Sequence, residues 1–251
     1  MGFMKNTLAG LLVTLTAAGA VKGEDPSKIA ADVFSGQQTT EVVKEPKKEE
    51  PLFLDFSIDY QTKYVYRGAT YSDKPVIQPV ATAGIGPVSA TWFGSIDYAT
   101  KTLNESDVTL DITHPVGPVS LSGGITWLSF PNTDIPSTTE VYAGVTLDEV
   151  PATPSLFVFH DFQDGKGTYA ELSVSKDFKV LDIPLSASAK LGYNHHYFRK
   201  ETGFSHVELG VSSPIDLGKG WTISPMLKYS RALSKDFKNE VYAGISIGYK
   251  F

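Results

Sequence analysis

From Leu52 to the end of the chain, apolar and polar residues alternate in runs that are separated by turns. Alternation with a period of two predicts β-strands whose faces meet different environments. In the first run, the apolar positions are Leu54, Phe56, Ile58, Tyr60, Tyr64 and Tyr66, and the polar positions are Asp55, Ser57, Asp59, Gln61, Lys63 and Arg67. This run exceeds the roughly 9–11 residues that a tilted strand needs to cross a bilayer. We therefore predict one membrane-crossing strand here.

The same pattern predicts eleven more strands. They lie near residues 77–85, 88–98, 108–113, 119–130, 139–147, 154–162, 167–177, 183–197, 204–213, 220–230 and 239–251. An even total of about twelve suits an up-and-down barrel with both ends on one side of the membrane. Gly86-Pro87 and Gly117-Pro118 predict tight turns, whereas the intervening connections are longer and polar. Short periplasmic turns and longer external loops are typical of bacterial outer-membrane barrels.

Alternation alone leaves a soluble β-sandwich open, because that fold also alternates, with its apolar face turned inward. Three features favour a membrane barrel. The apolar register carries almost no charge, and Arg or Lys at the lipid-facing midplane would cost about 2–4 kcal/mol. The opposite register is rich in Ser, Thr and Gly, which suits a wet lumen. Aromatic residues of the apolar register gather toward strand ends, as in interfacial girdles, at Tyr64, Tyr66, Tyr98, Trp127, Tyr197, Trp221, Tyr229 and Tyr249.

We therefore expect residues 52–251 to form an all-β fold, a transmembrane antiparallel up-and-down β-barrel of about twelve strands. Pro79 and Pro225 fall inside two of the predicted strands. Because proline cannot donate to the ladder of a sheet, we expect a local β-bulge at each of them.

The first fifty residues differ in pattern from the rest. Residues 1–20 resemble a secretory signal peptide, with Lys5 ahead of a short apolar stretch and Ala18-Gly19-Ala20 predicting cleavage near residues 20–23. Residues 21–51 are charged and mixed, which predicts a flexible N-terminal segment.

Composition excludes several classes of function. The chain has no cysteine, which excludes a disulfide framework and thiol chemistry. A formal charge of -6 gives no electrostatic reason to expect nucleic acid as a partner. The sequence contains no phosphate-binding loop, zinc-ligand spacing or nucleophile elbow, so no cofactor is predicted.

The last predicted strand alternates cleanly. Counting back from Phe251, the positions on one face are Tyr249, Ile247, Ile245 and Ala243. This strand resembles the C-terminal signature of bacterial outer-membrane proteins, which implies that the barrel-assembly machinery recognises it as a partner. Tyr249 and Phe251 are the residues expected to carry that assembly signal.

A second resemblance concerns residues 52–251. The segment Asp59-Tyr60 through Tyr64-Val65-Tyr66-Arg67-Gly68, followed by Ser72-Asp73, Pro75 and Gln78, resembles the opening of the TorF-type porin family of bacterial outer membranes. The stretches Pro154-Ser155 to Asp161-Phe162 and Gly167-Thr168-Tyr169 resemble a later part of that family. The chain departs from the family pattern at Ile58, Tyr66 and Tyr71. The resemblance implies a barrel with a pore, and it names no substrate.

The proposed register assigns charged residues to the lumen. The expected pore-lining residues are Asp55, Asp59, Lys63, Arg67, Asp97, Asp111, Glu140, Glu171, Lys190, Glu208, Lys228 and Glu240, and Asp107, Asp161 and Lys250 face the same way. Acidic groups outnumber basic ones, so an open pore would have a mild preference for cations. A lumen closed by paired charges is an equal alternative. Twelve strands lie between a filled eight-stranded barrel and a wide channel of 16–18, so any pore is narrow.

Histidines raise two further possibilities. His196 and His206 fall on inward registers of adjacent predicted strands, with Glu208 two residues on, so they are candidates for a metal or pH-sensing site. An ordinary polar pair is the alternative. His114, His160 and His195 fall on or near the lipid-facing register, where a lipid-hydrolysing enzyme would place its site, but the sequence offers no convincing serine and acid partners.

Together these features predict a protein of the bacterial outer membrane that contacts its lipids and passes small polar solutes or ions passively through a narrow pore. A structural or adhesive barrel with a closed lumen is the main alternative, followed by a lipid-hydrolysing barrel enzyme.

Overall fold

The computed structural model describes residues 52–251, so the predicted signal peptide and the charged segment 21–51 lie outside the described residues. The described part consists of strands and turns. Their bounds are β1 Leu52–Gln61, β2 Tyr64–Tyr66, β3 Ala69–Ser72, β4 Val76–Ile85, β5 Val88–Asp97, β6 Thr102–Val116, β7 Val119–Ser129, β8 Thr138–Leu147, β9 Ser155–Asp161, β10 Gly167–Val180, β11 Ile183–His195, β12 Thr202–Ser212, β13 Ile215–Gly218, β14 Trp221–Ala232 and β15 Glu240–Lys250. Within residues 52–251 there is no helix with the length and apolarity needed to cross a membrane.

Twelve of these strands form one closed antiparallel barrel. β4 to β12 pair in chain order, β12 pairs with β14, β14 with β15, and β15 with β1, which pairs with β4. The closing pair β1–β15 aligns Asp55 with Lys250 and Tyr60 with Ile245. β13 adds a short extension beside β14, and β2 and β3 form a separate two-stranded sheet. The predicted twelve-stranded all-β barrel is confirmed.

The outward face of the barrel is apolar. On β1, the side chains of Phe56, Ile58 and Tyr60 are exposed, while Ser57 and Asp59 between them are partly buried. Leu110, in the middle of β6, is 54% exposed, and Trp127, near the end of β7, is 61% exposed. A continuous apolar band of this kind is unfavourable against water and favourable against lipid.

The two ends of the barrel differ in the length of their connections. Gly86 and Gly117 have φ values of 55° and 63° in tight turns, and Leu181 and Asp182 have φ values of 49° and 66° in a two-residue hairpin. Positive φ at both central residues is the type I′ geometry that matches the twist of paired strands. The opposite end carries the connections 62–75, 130–137, 196–201 and 233–239. We call these the short-turn end and the long-loop end.

The prediction that the first strand continues beyond Gln61 is wrong. β1 ends there, and residues 64–72 fold back as the hairpin β2–β3, which we call the inner hairpin. Its turn is formed by Arg67 and Gly68, with φ values of 49° and 78°, again the type I′ pattern. Tyr64 and Tyr66 therefore line the lumen side instead of the predicted lipid girdle. Hairpin strands alternate like wall strands, so a period of two did not reveal the departure.

Two other expectations also fail. Tyr197, predicted for the girdle, is buried, because β11 ends at His195 and the chain turns inward after it. Pro79 pairs with Ile58, and Pro225 with Ile245, without the expected register shifts. On the other side of β4, the ladder with β5 has no paired residues between Ile77 and Val80. No hydrogen bond from the Pro79 nitrogen is therefore required there. Pro225 lies between the end of the β12–β14 ladder and the start of the β13–β14 ladder.

Candidate functional site in the barrel lumen

The tip of the inner hairpin is fixed to the barrel wall by a two-pronged ion pair. Arg67 Nη1 lies 2.8 Å from Glu140 Oε2, and Arg67 Nη2 lies 3.0 Å from Glu140 Oε1. Tyr197 Oη donates to Glu140 Oε2 at 2.7 Å and accepts a hydrogen bond from Arg67. Both charged side chains are almost fully buried, with 8% and 3% of their surface exposed. Charge-assisted bidentate pairs of this geometry are among the stronger polar contacts in proteins.

Aromatic rings surround the same guanidinium. Arg67 Cζ lies 3.9 Å from the ring centre of Phe159, 4.8 Å from that of Tyr197 and 5.0 Å from that of Tyr169. A guanidinium is weakly hydrated and stacks well on aromatic faces. The wall thus offers this cation a carboxylate in its plane and rings around it.

The base of the inner hairpin has a second attachment. Lys63 forms an ion pair with Glu240, and Thr70 Oγ1 donates to the other oxygen of Glu240 at 2.9 Å. Gly68 packs directly on His206, since a Cβ atom at Gly68 would lie 2.4 Å from His206 Nδ1. Its positive φ and this close approach both require glycine at the turn.

Two long loops cover the inner hairpin from outside. They are residues 196–201 and 233–239; each turns one ring inward, Tyr197 and Phe237 respectively, and the guanidinium of Arg199 lies 4.9 Å from the ring centre of Phe237. Lys235 Nζ lies 3.0 Å from Glu201 Oε1, and its hydrogen bond holds the pKa of the Glu201 carboxyl below its usual range. The space between hairpin and loops is about 20 Å³, too small for a solute.

A cavity of about 570 Å³ lies on the other side of the inner hairpin, within the lumen. It combines charged groups, which include Asp59, Arg67, Asp107 and Glu140, with aromatic rings. The rings belong to Tyr64, Tyr66, Phe93, Tyr142, Phe157 and Phe159. Cavities of 300–1,000 Å³ are typical of small-molecule sites.

Toward the short-turn end, the inward positions carry small polar residues. Examples are Ser57, Thr82 and Thr91 on the neighbouring strands β1, β4 and β5. Ser122 on β7 and Ser188 on β11 also point inward. The bulk of the lumen filling therefore sits at the long-loop end, where the inner hairpin lies.

Lumen charges are only partly balanced. Every ion pair on this face joins one base to one acid, as in Lys190–Glu171 at 3.1 Å and Lys228–Glu208 at 3.7 Å. Within residues 52–251, no base lies within 4.0 Å of the inward carboxylates Asp55, Asp59, Glu105, Asp107 and Asp111. The lumen consequently has more carboxyl groups than basic partners for them.

Glu105 faces the lumen, although the sequence pattern did not predict it as a lining residue. It is 4% exposed and stands two residues before Asp107 on the inward face of β6. The predicted strand began at Val108, so Glu105 fell in a loop. The alternation of Glu105, Asp107 and Thr109 was the available signal.

Most predicted lining residues occupy inward positions on wall strands. These are Asp55, Asp59, Asp111, Glu140, Glu171, Lys190, Glu208, Lys228 and Glu240. Lys63 follows β1, and Arg67 belongs to the inner hairpin, so neither is part of the wall. Asp97 departs from the expectation, because its carboxylate accepts from Ala99 N at 2.9 Å and Thr100 N at 2.8 Å and caps a turn. That these residues line a conducting pore stays a prediction.

The expected pairing of His196 with His206 is wrong. His206 lies opposite Gly192, because the β11–β12 ladder ends where His195 pairs with Thr202, so His196 falls in the loop beyond it. His196 lies in the turn with φ 58°, is exposed, and packs against His195. Among the described residues, no group of three or more His, Cys, Asp or Glu side chains is placed to hold a metal ion.

Two of the three outward histidines, His160 and His195, are paired with threonine, whereas His114 lies exposed opposite Leu121. His160 Nδ1 lies 3.0 Å from Thr168 Oγ1, and His195 Nδ1 lies 3.1 Å from Thr202 Oγ1, across neighbouring strands. In the part of the chain that the structure describes, neither ring is hydrogen-bonded to a serine or a carboxylate. This arrangement lacks the nucleophile and the orienting acid of a serine hydrolase.

A family model described as "Bacterial protein of unknown function (Gcw_chp)" matches residues 46–246. The chain belongs to the Gcw_chp family. No curated protein matches this Gcw_chp chain. The resemblance to TorF-type porins stays a prediction.

Solved structures share the fold of this Gcw_chp protein. KdgM porin superposes with a TM-score of 0.55 at 11% identity, over 79% of this chain and 99% of that one. KdgM porin in complex with disordered oligogalacturonate gives 0.54, with the same identity and coverage. The COG4313 outer membrane channel from Pseudomonas putida F1 gives 0.52 at 8% identity, over 82% and 99%. At these identities the likeness shows the fold, that of outer-membrane barrels.

Proposed function

We propose that the chain is a bacterial outer-membrane channel that passes small polar solutes by diffusion and prefers cations. The observation that carries the proposal is the surplus of carboxylates around a solute-sized cavity in the lumen. Asp59 and Asp107 line that cavity, and no base lies within 4.0 Å of either in the described part of the chain. A ring of acidic side chains lowers the barrier for cations and raises it for anions.

The fold supports this function. An apolar outward face suits lipid, and the long-loop end would face the exterior, as in other outer-membrane barrels. The similar solved structures are described as porins or as an outer membrane channel. One of them holds oligogalacturonate, but a polyanion is a poor match for a lumen with a surplus of carboxylates.

The same proposal assigns no catalysis to the barrel, since His160 and His195 contact threonines and the sequence offers no convincing serine and acid partners for His114. It keeps Tyr249 and Phe251 as the assembly signal for the barrel-assembly machinery. Tyr249 packs on Trp221 with ring centres 4.7 Å apart, and Phe251 packs on Tyr249 at 4.5 Å. The TorF-type resemblance agrees with a pore of this kind.

A closed structural or adhesive barrel is the second candidate. Its support is the inner hairpin, which fills the long-loop end and is fixed by Arg67 and Lys63. Conductance in planar bilayers separates the two. A channel gives unitary steps whose reversal potential in a KCl gradient favours K⁺. A closed barrel gives no steps, even after the hairpin is released by Arg67→Ala.

A further inference from the structure

The barrel wall and the loop after β11 together form a site for a guanidinium group, and the chain's own hairpin occupies it. We call this site the guanidinium pocket and define it by Glu140, Phe159, Tyr169 and Tyr197. None of the four belongs to the inner hairpin, because they come from β8, β9, β10 and the loop after β11. Arg67 inserts into the pocket from a different part of the chain.

The pocket borders the lumen cavity. Arg67, Glu140 and Phe159 all line the cavity of about 570 Å³. On the opposite side, Tyr169 and Tyr197 line a space of only about 20 Å³ beneath the loops. A solute in the cavity therefore meets the edge of the ion pair between Arg67 and Glu140, and the loops block approach from outside.

We propose that a small organic cation bearing a guanidinium group competes with Arg67 for the guanidinium pocket, and that its binding releases the tip of the inner hairpin from the wall and widens the lumen, while Lys63 and Thr70 keep the base attached to Glu240. This inference rests on the proposed channel function and deepens it. The released Arg67 moves with the hairpin tip, while the incoming cation takes its two hydrogen bonds to Glu140. The solute class that the channel admits would then also be the class that opens it.

The chemistry of the pocket selects for guanidinium over ammonium. The planar fork of a guanidinium matches both oxygens of Glu140 at once, as Arg67 does at 2.8 Å and 3.0 Å. An ammonium is a compact, strongly hydrated charge that cannot form this pair of parallel bonds. The face of Phe159, 3.9 Å from Cζ, adds stacking that favours a flat cation.

Electrostatics favours exchange of one cation for the other. Asp59 and Asp107 in the cavity concentrate cations next to the pocket. Arg67 already neutralises Glu140, so a second cation gains the carboxylate only when Arg67 leaves. The ligand thus binds the released state and not the closed one, which is the condition for shifting the equilibrium between them.

The test uses full-length protein in planar bilayers and two esters of nearly identical shape. L-arginine methyl ester carries the guanidinium, and L-citrulline methyl ester replaces it with a neutral urea. We expect the arginine ester at millimolar concentration to raise the open probability of the wild type by about fivefold or more, the lower range of ordinary coupling between sites. The citrulline ester should have no effect, and L-lysine methyl ester should act at higher concentration.

Variants distinguish this mechanism from a general effect. Arg67→Ala should be open without ligand and should not respond to the arginine ester. Arg67→Lys keeps the charge without the fork, so it should respond at lower concentration than the wild type. Arg231→Ala removes an exposed arginine from the outward face and should respond like the wild type.

The outcomes are separable. If Arg67→Ala conducts but the arginine and citrulline esters act equally on the wild type, or neither acts, the competition mechanism is wrong and the channel function stands. If correctly folded Arg67→Ala gives no steps at all, the channel function itself is wrong. Correct folding is checked by a difference in gel mobility between boiled and unboiled samples.

Discussion

Arg67 and Glu140 are 73 residues apart in the chain, yet they meet in the barrel as a buried two-pronged ion pair. One partner belongs to a hairpin inside the lumen and the other to the wall. The pair fixes the tip of the hairpin, while Lys63 and Thr70 hold its base to Glu240. How far the inner hairpin restricts the lumen therefore depends on a contact between the hairpin and the barrel wall.

The pair should be energetically coupled. Removing one partner of a buried ion pair leaves the other without its counter-charge and costs about 3–5 kcal/mol, less where water reaches the site. Arg67→Ala and Glu140→Ala should each destabilise the barrel in urea, and the double variant should cost less than the sum by about 0.5–3 kcal/mol. The same cycle for Arg231→Ala with Glu140→Ala should show no coupling. Additive effects in the first cycle would mean that the ion pair does not hold the hairpin.

Gly68 should be intolerant of any side chain. In Gly68→Ala the positive φ costs about 1–2 kcal/mol, and the new Cβ also collides with His206. Gly117→Ala is a matched control, because its φ is 63° and no atom lies within 4 Å of the new Cβ. We expect a larger loss of unfolding free energy for Gly68→Ala than for Gly117→Ala.

Adding His206→Ala to Gly68→Ala should recover part of the excess loss, because it removes the imidazole ring and leaves the Cβ of residue 206 at 2.9 Å. If His206→Ala recovers nothing, the close approach between hairpin and wall is not the reason for glycine at this turn.

The carboxylates of the cavity should determine ion selectivity. Asp59 has one buried oxygen without a hydrogen-bond partner, so Asp59→Asn should fold well. Combined with Asp107→Asn, it should lower the permeability ratio of K⁺ to Cl⁻ toward one in a reversal-potential measurement. Asp148→Asn, in an exposed turn at the short-turn end, serves as the control. If the double variant keeps the permeability ratio of the wild type, other residues determine the ion selectivity.

The apolar outward face should require lipid. Leu110 is 54% exposed in mid-strand, so an aqueous protein would accept arginine there with little loss. In a bilayer, Leu110→Arg should cost about 2–4 kcal/mol, measured as unfolding free energy in lipid vesicles. Leu181→Arg, at a turn residue that is 91% exposed, should be nearly neutral. Equal effects of the two changes would contradict a membrane-facing surface.

Alternation was sufficient to predict the wall of the barrel, since Phe56, Ile58 and Tyr60 must all face the same environment. It could not predict where the chain leaves the wall, because Tyr64 and Tyr66 continue the same period inside the hairpin. The Arg67-Gly68 pair was the available turn signal. Contacts such as Arg67–Glu140 depend on how the closed barrel brings distant strands together, and the bulge beside His206 has no signature in a single sequence. The Arg67–Glu140 contact and this bulge could therefore be identified only from the structure.

The central claim is that this barrel is a cation-preferring channel whose lumen is restricted by the inner hairpin. The most direct measurement is single-channel recording of the wild type and Arg67→Ala in planar bilayers under a KCl gradient. We predict unitary steps in both, with larger or longer openings in Arg67→Ala and reversal potentials that favour K⁺. The absence of steps in both proteins, at loads where unboiled samples show a folded barrel on gels, would contradict the account.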